Sequence, residues 1–283
     1  MTTLFQVLLA ATSLALAGAA AGDPVPDAPG AANVAADSTV AGRIVTARYS
    51  SSVLIFKVGT IALTAEIDPG RYAANTVVEA AGLAALFTDF DIRAEVEGRR
   101  TFEAMTPSHY GHVERTGSKV RAVDIRFEDA IASSEATPPF GSLGVPPATR
   151  EQRTGVIDPI SALFMVSQSR SGGDASICSG RLPVFDGKAR YDLRLEAGGF
   201  ETVRTPAWRG EALLCHVWYE PIAGYDPEDY PSPSELRYPL DIWLAPFPED
   251  GFYLPVRLHT RAGFGGVTIE VAELDIQAPS GPQ

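Results

Sequence analysis

The residues with the most reactive side chains are two cysteines, Cys178 and Cys215, and the sequence contains no others. An isolated pair of cysteines flanking predicted strands is typical of a disulfide in a protein from an oxidising compartment. The bond would close a loop of 37 residues, and chain entropy would stabilise the fold by roughly 4 kcal/mol. The alternatives are a thiol nucleophile or half of a metal site, but there is no CxxC motif and no nearby histidine pair. We therefore predict a disulfide.

Four histidines limit the acid–base and metal chemistry that the chain can perform. His109 and His112 have the i, i+3 spacing of metal ligands, but we expect them in a polar loop without a third ligand nearby. His216 follows Cys215, so on a strand the two side chains point to opposite faces and cannot act together as nucleophile and base. His259 lies between two arginines, where we expect a solvated cationic stripe or, alternatively, an anion contact inside a curved sheet. We predict no metal site.

Motifs of catalysis and cofactor binding do not stand out. The sequence has no Gly-x-Ser-x-Gly elbow, HExxH, phosphate-binding loop or dinucleotide fingerprint. The acidic run at 226–229 could hold calcium, but it lacks the alternating oxygen ligands and the glycine of a dedicated loop. The tyrosines around it are expected either to stack on a sugar or to pin a proline-rich loop to the sheet: Tyr219, Tyr225, Tyr230 and Tyr238. We predict no catalytic residue and no cofactor, and the sequence favours a binding protein over an enzyme.

The charge of the chain narrows its range of partners. The formal net charge is −12 and the isoelectric point is about 4.8. Phosphate backbones and anionic membrane surfaces are bound through clustered Lys or Arg. The charge therefore argues against both, and we expect no nucleic acid partner.

The N-terminal residues have the pattern of a secretory signal peptide. An apolar stretch at 4–16 is followed by small residues suited to cleavage. The alternative is a short membrane anchor, but the stretch is too short for a good span. We predict a signal peptide at 1–22, a disordered lead-in rich in Pro, Ala and Asp at 23–40, and one β-rich domain at 41–278. The mature protein is then periplasmic or secreted and has no stable membrane span.

Short runs with period-2 alternation dominate the rest of the sequence and predict strands. In the last run, Val267, Ile269 and Val271 share a face but Leu274 and Ile276 are out of phase, which predicts a bulge near Ala272. The segment at 133–153 loses the alternation and is expected to be a long exposed loop. We predict a mainly β fold, a large curved antiparallel sheet or half-open barrel of about ten or more strands with one or two short helices. The predicted strands include 43–49, 53–58, 61–67, 71–80, 90–97, 119–127, 189–196, 213–219, 240–244, 253–261 and 267–276.

One segment has clear helix signals. Asp158 is a favourable N-cap and Pro159 is preferred at the first helical position, so we predict a helix over 160–167. Three residues of this helix would form one apolar stripe, which is also the candidate ligand-binding surface: Ile160, Leu163 and Phe164.

A second local signal is the pair Asp186-Gly187, which stands between two strand-like runs. This dipeptide is typical of a two-residue hairpin turn of type I′, which needs positive φ at both central residues. We therefore predict such a turn at Asp186 and Gly187.

Four segments together resemble one family: VIDPISALF at 156–164, CSGRLPVFDGKARYDL at 178–193, PIAGY at 221–225 and LPVRLHTRAGFG at 254–265. On these motifs the chain resembles the secreted bacterial family known as domain of unknown function 3108, over residues 41–276. The family is similar in broad outline to periplasmic lipoprotein carriers, in which a curved antiparallel sheet wraps around a helix and forms an apolar cavity. The resemblance implies that architecture, and it implies no catalytic residues.

Two functions of different classes follow as hypotheses. The first is a periplasmic, non-catalytic binding or carrier protein for an apolar or lipid-like ligand. The second is a cell-envelope scaffold or interaction protein that binds a protein or glycan partner through its outer surface and the 219–239 segment. A hydrolase of envelope polymers is a third and weaker hypothesis. A lumen of several hundred cubic ångströms lined by apolar side chains would favour the carrier.

Overall fold

The computed structural model describes residues 42–82, 84–86, 89–101, 104–167, 177–247, 252–262 and 265–278. The predicted signal peptide and lead-in lie outside these residues. The described chain forms thirteen strands: β1 Arg43–Val53, β2 Phe56–Ile67, β3 Arg71–Ala80, β4 Phe90–Arg100, β5 Met105–Thr116, β6 Lys119–Glu128, β7 Ile131–Thr137, β8 Gly180–Phe185, β9 Arg190–Arg204, β10 Arg209–Ala223, β11 Leu240–Phe247, β12 Phe252–Ala262 and β13 Gly265–Gln277.

The strands form one antiparallel sheet in the order β7-β6-β5-β4-β3-β2-β1-β13-β12-β11-β10-β9-β8. Every strand therefore pairs with its neighbour in sequence, except that β1 pairs with β13 and leaves β7 and β8 as the two edges. The sheet curls into a nearly closed barrel, which confirms the predicted fold class. The register of β1 on β13 jumps from Glu273 to Val271 and leaves Ala272 unpaired, so the predicted bulge is confirmed.

A short segment bridges the gap between the two edge strands, and we call this gap the seam. Residues 153–157 lie between β7 and β8. On one side, the Ala132 N–H donates to the Arg153 carbonyl oxygen at 2.9 Å. On the other side, the Phe185 N–H donates to the Ile157 carbonyl oxygen at 2.9 Å. The backbone groups of both edges therefore find partners in this segment, and an exposed edge is avoided there.

Inward and outward residues alternate along the strands. On β1, Val45, Ala47 and Tyr49 are buried, and the residues between them are exposed. The same alternation occurs on β4, where Ile92, Ala94 and Val96 face the interior. One face of the sheet is therefore the core and the other is wet, as expected for an antiparallel sheet.

The interior of the barrel holds the helix α1, Pro159–Ser167, the one α-helix among the described residues. It contacts β4, β5, β8 and β12. The prediction of a single apolar stripe is wrong, because the helix is buried on nearly all sides and only Pro159 and Leu163 are partly accessible. A helix enclosed by a sheet is apolar all round. None of the described helices is long and apolar enough to cross a membrane.

Three local expectations are wrong. The predicted loop at 133–153 begins with β7, and the predicted polar loop around His109 and His112 belongs to β5. The predicted strand at 53–58 contains the turn between β1 and β2, with Leu54 in the left-handed region at φ 54°. We call residues 53–56 the rim turn. It was mistaken for a strand because all four residues are large and apolar.

The turn between β8 and β9 also differs from its prediction. We call residues 186–189 the seam turn. Its Gly187 has φ 104°, but Asp186 and Lys188 do not have positive φ, so it is not a type I′ turn. The Asp186 carboxylate Oδ1 accepts the N–H groups of Lys188 and Ala189 at 3.0 and 2.7 Å, which fixes the turn through a side chain instead.

Candidate functional site

An internal cavity of about 500 Å³ lies between the helix and the inner face of the sheet. Strands from β1 to β5 and from β9 to β13 contribute side chains to its wall, together with the helix. Its volume falls in the range of roughly 300 to 1,000 Å³ that is usual for small-molecule sites. The cavity is the strongest candidate for a functional site in the part of the chain that the structure describes.

The helix forms one wall of the cavity. The residues that it presents there are Pro159, Ile160, Leu163 and Val166. Two of the three predicted ligand-binding residues, Ile160 and Leu163, therefore line the cavity. The third, Phe164, is not among the lining residues and packs edge-on against Tyr72, with ring centroids 6.2 Å apart. The helix thus fills one part of the barrel and leaves the other part open.

The opposite wall is almost entirely apolar. Its deep part is built from inward-facing residues of many strands: Leu63, Leu193, Val217, Leu240, Ile242, Leu258 and Ile269. The Tyr49 hydroxyl donates to the Pro255 carbonyl oxygen at 2.9 Å, and burial raises its pKa. This hydroxyl is therefore already satisfied, and the deep part of the cavity offers an apolar surface.

Polar side chains concentrate where the strands end at the mouth of the cavity. Among the described lining residues, Glu79 is the one with a charge, and its carboxylate lies 3.9 Å from Arg93 with the side chain 53% exposed. Ser51, Thr60 and Thr116 supply hydroxyls to the lining. Thr76, which pairs with Leu63, adds a buried hydroxyl farther in. The cavity therefore has a largely apolar interior and a polar mouth.

A buried polar group fixes the start of the helix. Asp158 Oδ1 accepts the N–H groups of Ile160 and Ser161, both at 2.9 Å, and its Oδ2 accepts the Ser161 hydroxyl. Tyr72 of β3 hydrogen-bonds to the same hydroxyl at 2.5 Å. Burial raises the pKa of Asp158 to about 6. Asp158 therefore caps the helix and, through Ser161, ties it to the barrel wall, and Pro159 follows at the first helical position.

The seam turn is packed into the barrel wall. The Gly187 carbonyl oxygen accepts the Ser134 hydroxyl of β7 at 2.7 Å. A side chain at Gly187 would meet Val123 of β6, since a Cβ built there lies 2.4 Å from a Val123 methyl carbon. Burial raises the pKa of Asp186 to about 6. The predicted turn residues Asp186 and Gly187 therefore help to close the seam, and they do not line the cavity.

The predicted disulfide is confirmed. Cys178 and Cys215 are bonded, with their Cα atoms 5.5 Å apart, and both side chains are buried. The bond joins the chain just before β8 to the middle of β10. Both cysteines are thereby unavailable as nucleophiles or metal ligands.

The histidines do not come together. His109 hydrogen-bonds to Asp124 at 2.5 Å, whereas burial lowers the pKa of His112 to about 4. Three residues apart on a strand, the two side chains point to opposite faces. His216 hydrogen-bonds to Asp241 at 2.6 Å and His259 to Thr268 at 3.0 Å. Within the described ranges, no group of three or more His, Cys, Asp or Glu side chains is arranged to hold a metal ion.

The acidic run at 226–229 serves the seam turn. Asp226 pairs with Lys188 at 2.7 Å between Nζ and Oδ2, and it accepts the Ser142 hydroxyl at 2.5 Å. These partners hold the pKa of Asp226 below its usual value. Lys188 is buried, so this carboxylate neutralises a charge that would be costly alone. The arrangement is an ion pair, and both Asp226 carboxylate oxygens are engaged by side chains of the protein.

The four tyrosines differ in burial, and Tyr230 packs edge-on against Tyr225 with ring centroids 5.6 Å apart. Tyr219 and Tyr225 hydrogen-bond to each other through their hydroxyls, and Tyr219 packs on Tyr191 with ring centroids 4.6 Å apart. These two pin the 219–239 segment to the sheet. Tyr230 and Tyr238 are exposed, at 52% and 37%. The expected sugar-stacking surface is therefore not formed by all four rings.

Sequence reasoning missed the rim turn as a feature of the site. Val53 of this turn and Val58, two residues after it, line the cavity. Leu54, Ile55 and Phe56 are exposed at 63%, 88% and 53%. A signal was present, because four consecutive large apolar residues break the period-2 alternation of a half-buried strand.

The chain is similar to a family model and to a solved structure. A family model described as "Protein of unknown function (DUF3108)" matches residues 46–272. Among solved structures, the chain is similar to the "Crystal Structure of Beta-barrel-like Protein of Domain of Unknown Function DUF1849 from Brucella abortus", with a TM-score of 0.48 and 11% identity. That alignment covers 86% of this chain and 100% of the other. No curated protein matches the chain.

Proposed function

This chain belongs to the DUF3108 family of proteins of unknown function, and we propose that it is a non-catalytic binding or carrier protein for an apolar or lipid-like ligand. The observation that carries the proposal is the cavity of about 500 Å³ with its apolar interior and polar mouth. Protein interiors are normally close-packed, so an apolar space of this size forfeits packing energy unless a ligand fills it.

The distribution of polar groups indicates an amphipathic ligand. An alkyl chain in the deep part would gain about 0.8 kcal/mol for each buried CH₂ group. A polar head at the mouth would meet the Glu79 carboxylate and the Thr116 hydroxyl rather than water alone. The ligand would therefore enter tail first.

We further propose that the protein acts in the periplasm or is secreted. The signal-like pattern at 1–22 supports this location. The Cys178–Cys215 disulfide fits it as well, since such bonds persist in oxidising compartments.

The test is direct. Native mass spectrometry of the purified protein is expected to detect a bound lipid-like molecule, and a fluorescent fatty-acid probe is expected to bind. Leu163→Phe places a larger side chain in the cavity and should weaken probe binding about tenfold or more. Leu143→Phe is the matched control, because Leu143 is 57% exposed and does not line the cavity.

Absence of both copurified lipid and probe binding would end the carrier proposal. In that case the envelope scaffold would be favoured, with Tyr230 and Tyr238 as its exposed aromatic contacts. Crosslinking in the cell envelope that recovers a specific protein through the 219–239 segment would support that second function.

A further inference from the structure

The rim turn exposes three large apolar side chains in succession. Leu54, Ile55 and Phe56 are 63%, 88% and 53% exposed, and none of residues 53–56 carries a charge. Single exposed apolar residues are common on protein surfaces, but a contiguous group of them marks an interaction site.

The local backbone is unfavourable for these residue types. Tight hairpin turns with positive φ are normally built from Gly, Asn or Asp, because a larger side chain is strained there. Leu54 nevertheless has φ 54°. Such breaches of local preference are expected where function retains a residue that stability would not.

Neighbouring backbone holds the rim turn in place. The Leu54 N–H donates to the Gly266 carbonyl oxygen of β13 at 3.2 Å. Gly265 leaves room for the leucine, since a Cβ built on it would lie 2.7 Å from a Leu54 methyl carbon. The apolar side chains are therefore presented in a defined position.

The rim turn is continuous with the cavity. Val53 and Val58 belong to the cavity lining, and the three exposed residues lie between them in sequence. An apolar ligand that leaves the cavity along this side therefore meets apolar side chains at the rim.

We propose that the rim turn inserts into the acyl region of a phospholipid bilayer, so that the mouth of the cavity opens onto the membrane. This inference rests on the proposed function, because it describes how an apolar ligand enters and leaves. Three side chains on one turn are too few for a stable protein interface, which buries roughly 800 Å² on each partner. Shallow insertion into a bilayer requires only that apolar side chains leave water.

The net charge of the protein indicates which kind of bilayer the rim turn can approach. With a net charge of −12, the protein is not drawn to anionic lipids as a whole. The rim turn itself is uncharged, and the exposed Lys57 follows it directly, where its ammonium group can remain in the headgroup layer. Insertion is therefore expected on zwitterionic vesicles and should weaken when anionic lipid is added.

The experiment measures cosedimentation with phosphatidylcholine vesicles. The double variant Ile55→Ser, Phe56→Ser should lose at least tenfold in vesicle partitioning. The matched control is Val145→Ser, Phe200→Ser, in which the replaced residues are 70% and 55% exposed and do not line the cavity. The control should partition like the unaltered protein. Thermal unfolding of both variants verifies that they are folded.

Fatty-acid probe binding in vesicle-free solution separates this inference from the carrier function. Retained probe binding with lost vesicle binding in the rim variant supports membrane insertion. If the unaltered protein binds the probe but not vesicles, or if both double variants bind vesicles equally, the insertion proposal is wrong and the carrier function stands. Failure to bind the probe at all overturns the carrier function first. Loss of a specific protein crosslink in the rim variant, without vesicle binding, would assign the rim turn to a protein partner.

Discussion

The rim turn and the seam turn both connect adjacent antiparallel strands, yet their polarity and burial are reversed. In the rim turn, apolar Ile55 is 88% exposed. In the seam turn, Asp186 and Lys188 are only 6% and 7% exposed. Both arrangements are unfavourable by themselves, because charged groups are more stable in contact with water and apolar side chains are more stable in the core.

The difference has a structural reason in each place. β1 is the central strand of the thirteen, with six strands on either side, so the rim turn lies far from both sheet edges. The seam turn follows the edge strand β8 and packs against β7, where the Gly187 carbonyl oxygen accepts the Ser134 hydroxyl. Its Asp186 carboxylate accepts backbone N–H groups of the turn itself, which would otherwise be buried without partners, and its Lys188 is neutralised by Asp226. The seam turn is thus explained by closure of the barrel, and the rim turn has no such structural explanation.

The largest loss in the free energy of unfolding should come from a substitution at Gly224, which packs against the backbone of the seam turn. Gly224 has φ 87°, and a Cβ built on it would lie 2.0 Å from the Lys188 carbonyl oxygen. Gly224→Ala combines strain with a backbone collision, so we expect a loss of more than about 4 kcal/mol in the free energy of unfolding. Gly199→Ala is the matched control, since φ is 94° and nothing lies within 4 Å, and it should cost about 1 kcal/mol. Urea unfolding followed by tryptophan fluorescence measures both. Equal losses would show that the seam turn is not seated on Gly224.

The next effect concerns the disulfide that anchors the chain ahead of β8. Replacing both Cys178 and Cys215 by serine should lower the free energy of unfolding by roughly 4 kcal/mol. The loss follows from the freedom that the unfolded chain regains over 37 residues. Reduction of the unaltered protein should give a similar loss in urea unfolding. A change below about 1 kcal/mol would mean that the seam is stable without this anchor.

The comparison of the two turns also shows what the sequence could predict. The cap at Asp158, the bulge at Ala272 and the curved antiparallel sheet follow from local patterns that nothing distant overrides. The disulfide follows from having only two cysteines. The seam could not be predicted, because residues 153–157 meet β7 and β8 through backbone groups that carry no sequence signal.

Turn geometry illustrates the same limit. A type I′ turn was predicted at Asp186-Gly187, but positive φ at both central residues occurs instead at Asp129 and Ala130, between β6 and β7. Glu128 and Ile131 pair directly, so strand pairing imposes positive φ on Ala130, which has little preference for it. The cavity was likewise beyond prediction, because alternation distinguishes two faces without indicating which face is concave.

A smaller effect, on the pH dependence of stability, should come from the buried carboxylate of Asp186 in the seam turn. The pKa of Asp186 is raised to about 6 by burial, from 3.8 in the unfolded chain. Between these values the folded state holds more protons, so the stability from this group is complete below pH 3.8 and is lost as pH rises through 6. His112 acts in the opposite direction, because its pKa is lowered to about 4. The difference in the free energy of unfolding between an Asp186 variant and the unaltered protein removes the contribution of His112, because both proteins contain it.

Asp186→Asn removes the titrating group. The stability of this variant relative to the unaltered protein should be about 1.4 kcal/mol more favourable at pH 7.5 than at pH 5. Urea unfolding at the two pH values gives the difference. Asp124→Asn is the control and should show little difference between pH 5 and pH 7.5, because the His109 hydrogen bond lowers the pKa of Asp124 and its carboxyl titrates below this range. A pH-independent difference for Asp186→Asn would show that its carboxylate is not desolvated in the folded protein.

The smallest effect tests whether the rim turn lowers stability. Leu54→Asn keeps the left-handed conformation at φ 54° with a residue that tolerates it, so the free energy of unfolding should rise by up to about 1 kcal/mol. Leu143→Asn, at an exposed leucine without positive φ, should change it by less than about 0.5 kcal/mol. A loss of more than 1 kcal/mol in Leu54→Asn would instead make the leucine a structural contact at the start of β13, beside Gly265. A gain in stability together with weaker vesicle binding would mean that the chain retains an apolar residue at the rim despite its cost, which is the pattern expected of a residue kept for contact with a membrane.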